Sequence, residues 1–193
     1  MLPIVPYRPG DIVAFSRRDW LGCAINLGTW GIPGWGASHV AIVGRLKENK
    51  RQLVLWESTS MAGQPCLIQR KDVSGVQAQD ITTRINGYPG RVWHYPLNQP
   101  LDTKRISRLN AFCQKFLGNS YDAIGAFRSR GLSLIEKVIF RPPDMTSVFC
   151  SEFCAAGHKH IGLFQNNESR MNPNKFIRHE CHAHVLAKPR RKK

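Results

Sequence analysis

The sequence predicts an α+β fold with a central antiparallel sheet packed against helices. Three observations predict it: short apolar runs bounded by turn residues in the first half, an amphipathic helical period between Asp102 and Leu117, and a second helical period after Pro142 and Pro143. The 193 residues, 42% of them hydrophobic, suffice for one core, and there is no internal repeat. Residues 1–187 read as a single domain and 188–193 as a basic C-terminal tail.

Tyr7-Arg8-Pro9-Gly10-Asp11 ends in a turn signal, and Ile12-Val13-Ala14-Phe15 follows as a short buried strand. From Asp19, the residues Trp20, Leu21, Ala24 and Ile25 recur at helical spacing before a glycine-rich stretch, Gly28 to Gly36. Trp30 and Trp35 in that stretch either line a groove or pack on the core. Ser38-His39-Val40-Ala41-Ile42-Val43-Gly44 is an apolar strand that opens with a histidine, and Leu53-Val54-Leu55-Trp56-Glu57-Ser58 is one that carries an acid. The polar run Lys47 to Gln52 joins them, so an antiparallel hairpin is expected, with Glu57 near His39. An acid inside such a strand is costly unless paired, and the histidine is the nearest partner.

Val76 to Ile85 and Arg91 to Leu97 read as further strands, separated by the turn residues Asn86 to Gly90. A helix follows, capped by Asp102 or Thr103, with Ile106, Leu109, Phe112, Cys113, Phe116 and Leu117 on its apolar face and Gly118 at its end. Cys113 therefore belongs to the core. Leu132 to Phe140 reads as a short helix. In the next one Thr146 and Ser147 are candidate caps, and Phe149, Phe153, Cys154 and Gly157 follow at helical spacing. Cys150 is thus expected at or near a helix N-terminus, where the macrodipole favours the thiolate; the competing reading is a buried structural thiol. Asn172-Pro173-Asn174 breaks the chain before a last element, Phe176 to Leu186.

The formal charge of +15 and a pI near 10.1 favour polyanions through a screened, largely non-specific attraction. Part of that charge sits in Lys188-Pro189-Arg190-Arg191-Lys192-Lys193, which reads as a disordered tail, either a solubilising end or a polyanion contact. The N-terminal residues lack the pattern of a secretory signal, and no apolar run approaches the ~20 residues of a membrane span. The expectation is a soluble protein made in the cytoplasm, with secretion, lysis or a virion as routes elsewhere. The six cysteines (23, 66, 113, 150, 154 and 181) are then free thiols rather than a disulfide framework. His179-Glu180-Cys181-His182-Ala183-His184 is not the HExxH zinc motif, because position 183 is alanine; no metal or other cofactor is expected.

A thiol at a helix start, an imidazole at a strand start and a carboxylate on the adjacent strand make up a nucleophilic triad. Cys150 would attack a carbonyl, His39 would move the proton, and Glu57 would orient the imidazole. The order of Gly10-Asp11-Ile12-Val13, the SHVAIVG strand, the LWES strand, Gly118-Asn119-Ser120-Tyr121-Asp122 and Phe149-Cys150-Ser151-Glu152-Phe153-Cys154 resembles the circularly permuted papain-like hydrolases of the NlpC superfamily, over most of the chain. The resemblance implies that fold, catalytic roles for Cys150 and His39, the polar third role for Glu57, and a substrate- or oxyanion-assisting role for Tyr121. The amide of Cys150 is the natural oxyanion donor. Ser151 and Glu152 also match the family's cysteine motif, with Glu152 read as a local charge.

Members of that superfamily include thiol peptidases and amidases acting on cell-wall peptides, and relatives that move acyl chains between lipids. Phe149 stands where the lipid acyltransferases have an asparagine, and Glu57 where they have a second histidine, which favours a peptide or amide substrate, with peptidoglycan as one candidate. The alternatives are a lipid acyl hydrolase or acyltransferase, or a catalytically silent basic module, for example a virion protein, built on the same fold.

Overall fold

The computed structural model describes residues 6–16, 36–46, 52–59, 63–119, 146–168 and 171–193, with side chains from Cys150 onward in the span that opens at 146. Over these residues the fold is α+β. Its strands are β1 (Ile12–Ser16), β2 (His39–Arg45), β3 (Leu53–Thr59), β4 (Gly75–Asp80), β5 (Arg91–Tyr95) and β6 (Arg190–Arg191). Its helices are α1 (Ile81–Gly87), α2 (Thr103–Lys115), α3 (Thr146–His160) and α4 (Pro173–His182). The strands form one sheet in the order β4-β3-β2-β1-β5-β6, every neighbouring pair antiparallel. The segment from Asp19 into the glycine-rich stretch, the Lys47–Arg51 turn and the expected helix over Leu132–Phe140 lie outside the described residues.

Successive side chains of a strand point to opposite faces, and this alternation divides the core in two. Ile12, Ala14, Val40, Ile42, Val54, Trp56, Val76 and Ala78 face α2, α3 and α4, meeting Leu109, Cys113, Phe153, Cys154 and Phe176. Val13, Phe15, Ala41, Val43 and Leu55 face the other way, against Ile81 and Ile85 of α1 and Tyr88. Gly44, one residue before the end of β2, leaves room for its neighbour: a Cβ there would stand 2.6 Å from Cδ1 of the buried Trp56 on the adjacent strand.

Gly10 and Asp11 do more than turn the chain. Gly10 sits at φ +92°, and its carbonyl accepts from His158 Nε2 at 2.9 Å. The buried Asp11 carboxylate accepts from the amides of Arg8 and Leu97 and from His94 Nε2 at 2.8 Å. One short loop thus ties β1 to α3 and to β5.

Two expectations are corrected. The stretch Val76 to Ile85 is not one strand: the Asp80 side chain accepts from the Thr83 amide, which caps a helix, and Ile81 and Ile85, four apart, then share its buried face. The terminal run 188–193 is not a disordered tail. Arg190 and Arg191 pair with His94 and Trp93, the backbones of Val92 and Lys192–Lys193 exchange hydrogen bonds, and Lys193 Nζ donates to the carbonyls of Asn86 and Tyr88. The run is basic and exposed, yet its amides are used as a sheet edge. No helix among the described residues is long and apolar enough to cross a membrane.

Truncation after Ala187 is therefore expected to destabilise the protein by about 1–2 kcal/mol, lowering Tm by about 2–8 °C for a domain of this size. Thermal unfolding of the truncated chain checks this; an unchanged Tm would restore the reading of a free tail.

Candidate active site

His39 and Glu57 meet because of strand register. Ile42 pairs with Trp56 and Val43 with Leu55, and continuing that register puts Glu57 across from Ala41, one diagonal step from His39 on the same face. His39 Nε2 lies 2.6 Å from Glu57 Oε2. His39 is also hydrogen-bonded to the Cys150 side chain. With Nε2 committed to the carboxylate, the nitrogen left for the thiol is Nδ1. His39 is the first residue of β2, and at a strand end groups from both sides of the sheet can meet: α3 brings Cys150 from one side, β3 brings Glu57 from the other. The residues proposed from sequence as a triad are therefore brought together by three separate elements.

Burial works against a charge on the His39 ring, but Cys150 and Glu57 overcome it and hold its pKa up at about 9. Burial also works against the Glu57 charge; the hydrogen bond from His39 and the nearby Arg84 reverse that and lower its pKa to about 2. Cys150 and Glu57 have no exposed surface, and the His39 side chain is 12% exposed, so of these three the imidazole is the one that reaches solvent.

Cys150 is not at the mouth of its helix. With α3 beginning at Thr146, Cys150 is one turn in, and its amide faces the carbonyl four residues back. The helix-end field falls off within the first turn, so the thiol's partner here is His39 rather than the helix end, and the Cys150 amide loses its expected oxyanion role. Tyr121 lies outside the described residues. Among the other cysteines, burial pushes the thiols of Cys113 and Cys154 well above the ordinary range, and burial with nearby Glu180 raises Cys181. None of the five described cysteines is in a disulfide. His179 and His182 lie on α4, while Glu180 points into the core and binds His158 Nδ1 at 2.7 Å. Among the described residues no three His, Cys, Asp or Glu side chains converge as a metal site.

Two residues with a part in this arrangement, Arg84 and Asn174, escaped the sequence reading, and a third, Ser151, was read only as part of the family's cysteine motif. Arg84 of α1 donates to Glu57 Oε1 at 2.7 Å and to Oε2 at 3.2 Å. Asn174, read only as a chain breaker, clamps the residue two before His39: Ala37 N donates to its Oδ1 at 2.8 Å, and its Nδ2 donates to Ala37 O at 3.1 Å. Ser151 Oγ, beside Cys150, donates to Met171 O at 2.6 Å. The segment Met171–Asn174 thus braces both the thiol and the imidazole sides. The available signals were weak: a basic residue inside an apolar period for Arg84, and an asparagine flanking a proline for Asn174.

No family model matches the sequence, and no curated protein matches it. Among solved structures, the chain is similar to the metalloprotein yiiX from Escherichia coli O157:H7, a DUF1105 protein, with a TM-score of 0.50 and 15% sequence identity. The match covers 80% of this chain and 66% of that one, so the chain spans just under two thirds of the neighbour's length. At this identity the likeness concerns the fold alone.

The two shifted groups set a pH window. His39 is raised from 6.5 to about 9, so its stabilisation is full below 6.5 and is lost as pH rises through 9. Glu57 is lowered from 4.5 to about 2, so its share is full above 4.5 and is lost as pH falls toward 2. Urea midpoints are expected to be highest between these limits and to decline on both sides, with the alkaline decline reduced in His39→Gln; an alkaline arm identical in the two proteins would contradict the pairing. Asn174→Ala leaves the buried Ala37 amide and carbonyl unpaired and is expected to cost about 1–3 kcal/mol, read as a lower urea midpoint at constant m-value.

Proposed function

We propose that the protein is a cysteine hydrolase of amide or peptide bonds, working through Cys150, His39 and Glu57 on a circularly permuted papain-like fold of the NlpC type. The observation that carries this reading is one imidazole bonded through Nε2 to a buried carboxylate and also hydrogen-bonded to a thiol. The fold similarity to yiiX adds no chemistry to it.

In this mechanism Cys150 gives its proton to His39 Nδ1, and the thiolate attacks the carbonyl carbon of the scissile amide. Collapse of the tetrahedral intermediate breaks the C–N bond while the imidazolium protonates the departing amine. The thioester that remains is attacked by water, whose proton goes to Nδ1; the acid leaves and the thiol is restored. Glu57 accepts the Nε2 hydrogen throughout, which keeps Nδ1 toward the sulfur and stabilises the charged ring. The substrate approaches past the exposed edge of His39. Cell-wall stem peptides are the first substrates to try, since the permuted hydrolases that the sequence resembles include enzymes acting on them.

Cys150→Ala is expected to abolish turnover, and His39→Ala to lower kcat/KM by about 10²–10⁴-fold, the usual weight of general acid–base catalysis. From sequence, Glu57→Gln is expected to be mild, since an amide still accepts from the imidazole. The two hydrogen bonds from Arg84 change that: one amide face would place a donor against a donor, so a loss on the order of 10- to 100-fold is expected. The alkylation rate of each cysteine against pH, followed by peptide mass spectrometry, tests the reading without a substrate. Cys150 should be alkylated faster than the other described cysteines at mildly acidic pH and lose that advantage in His39→Ala. A Cys150 no faster than the other cysteines would move the assignment to a binding module.

A further inference from the structure

Arg84 is 27 positions from Glu57, on a helix that contributes no other group to the site, yet its guanidinium takes both carboxylate oxygens. Its side chain is 7% exposed and is held on two further sides by aromatic rings, with the guanidinium carbon 4.8 Å from the centroid of Phe15 and 5.5 Å from that of Tyr88. The Phe15 ring also stands 5.5 Å from the ring of His39. One aromatic floor therefore supports both partners of Glu57.

We infer that Arg84 is a positioning residue of the proposed hydrolase: by gripping the buried Glu57 carboxylate at both oxygens it keeps that group ionised and oriented, and so fixes the His39 tautomer that presents a bare Nδ1 to Cys150. The inference rests on the reading of Cys150 and His39 as nucleophile and base. The chemistry follows from what a carboxyl group can do. Ionised, Glu57 only accepts, and the ring must then carry its hydrogen on Nε2, leaving Nδ1 free to take the thiol proton. Protonated, Glu57 can donate to Nε2, the ring hydrogen moves to Nδ1, and the base faces the thiol with the wrong nitrogen. A carboxylate without exposed surface drifts toward the protonated form unless a permanent cation is beside it. Arginine supplies that cation, and its planar fork sets the direction of both oxygens, which a lysine ammonium does not. With the thiolate formed, the row Arg84, Glu57, His39, Cys150 alternates in sign and sums to zero, the arrangement that a buried set of charges requires.

The test compares wild type, Arg84→Met, Arg84→Lys, Glu57→Gln and the double variant Arg84→Met with Glu57→Gln. The readouts are the pH dependence of Cys150 alkylation by iodoacetamide and the His39 tautomer from long-range proton–nitrogen NMR correlations. At pH 6 the wild-type ring, with its pKa held up at about 9, carries a proton on both nitrogens. Loss of Arg84 is expected to move the acid limb of alkylation up by about one pH unit or more and to convert part of the ring to the neutral Nδ1–H form as its Nε2 proton passes to Glu57, with Arg84→Lys in between. In the Glu57→Gln background, Arg84→Met should slow alkylation no further and should recover part of it by removing the donor–donor clash, because the arginine acts through that carboxylate. A folded Arg84→Met, or an Arg84→Lys if the former does not fold, with wild-type tautomer and profile would overturn the inference, as would equal slowing by Arg84→Met in both backgrounds. If Cys150 of the wild type shows no activation, the hydrolase reading fails; the tautomer comparison then still decides whether Arg84 governs His39.

Discussion

Glu57 carries its charge on a strand in the middle of the protein with no exposed surface, and burial alone would neutralise it. Arg84 from one side and His39 from another make the charge tolerable, and each is oriented by doing so. The position of α1 against β3 and β4, the diagonal contact between β3 and β2, and the meeting of α3 with the end of β2 are thereby linked through one carboxylate. An uncompensated charge there would be among the most destabilising single defects a core can hold.

The same pairing occurs twice more, with different consequences. His94 binds Asp11, and His158 lies between Glu180 and the Gly10 carbonyl, all four of these side chains fully buried. Both ring nitrogens of His158 face oxygen acceptors, so the ring is used up as a strut between α3, α4 and the loop before β1. What distinguishes His39 is not its acid but the remaining nitrogen, which faces a thiol, and an edge open to solvent. A buried histidine–carboxylate pair is a structural device by default; it becomes a candidate for chemistry when one nitrogen and a path to it are left over.

Much of the fold was legible in the sequence. The SHVAIVG and LWES runs are short, apolar and separated by a polar turn, which is enough to announce both strands, their antiparallel pairing and the nearness of Glu57 to His39. The helix from Thr103 announced itself by its cap at Asp102, its apolar stripe and Gly118, which sits at φ +74°. The boundary at Asp80 was lost because β4 runs into α1 without an intervening loop, so the cap at Asp80 and the change of period had to be found inside one ten-residue run. The C-terminal run misled because charge and proline suggest solvation, while its pairing to β5 uses backbone groups that side-chain character does not reveal.

The amino-acid sequence by itself determined the elements with a strong local period, the alternation that gives the sheet two faces, and the identities of the thiol, imidazole and carboxylate. Only the tertiary structure decided that Cys150 lies a turn inside its helix, that Arg84 holds Glu57, and that Asn174 clamps Ala37 across 137 positions of chain. The physical reason is range. Periodicity and capping act over a few residues and are written where they act, whereas a buried polar group takes whichever partner the packed elements bring to it, and that is fixed only once the whole core has formed.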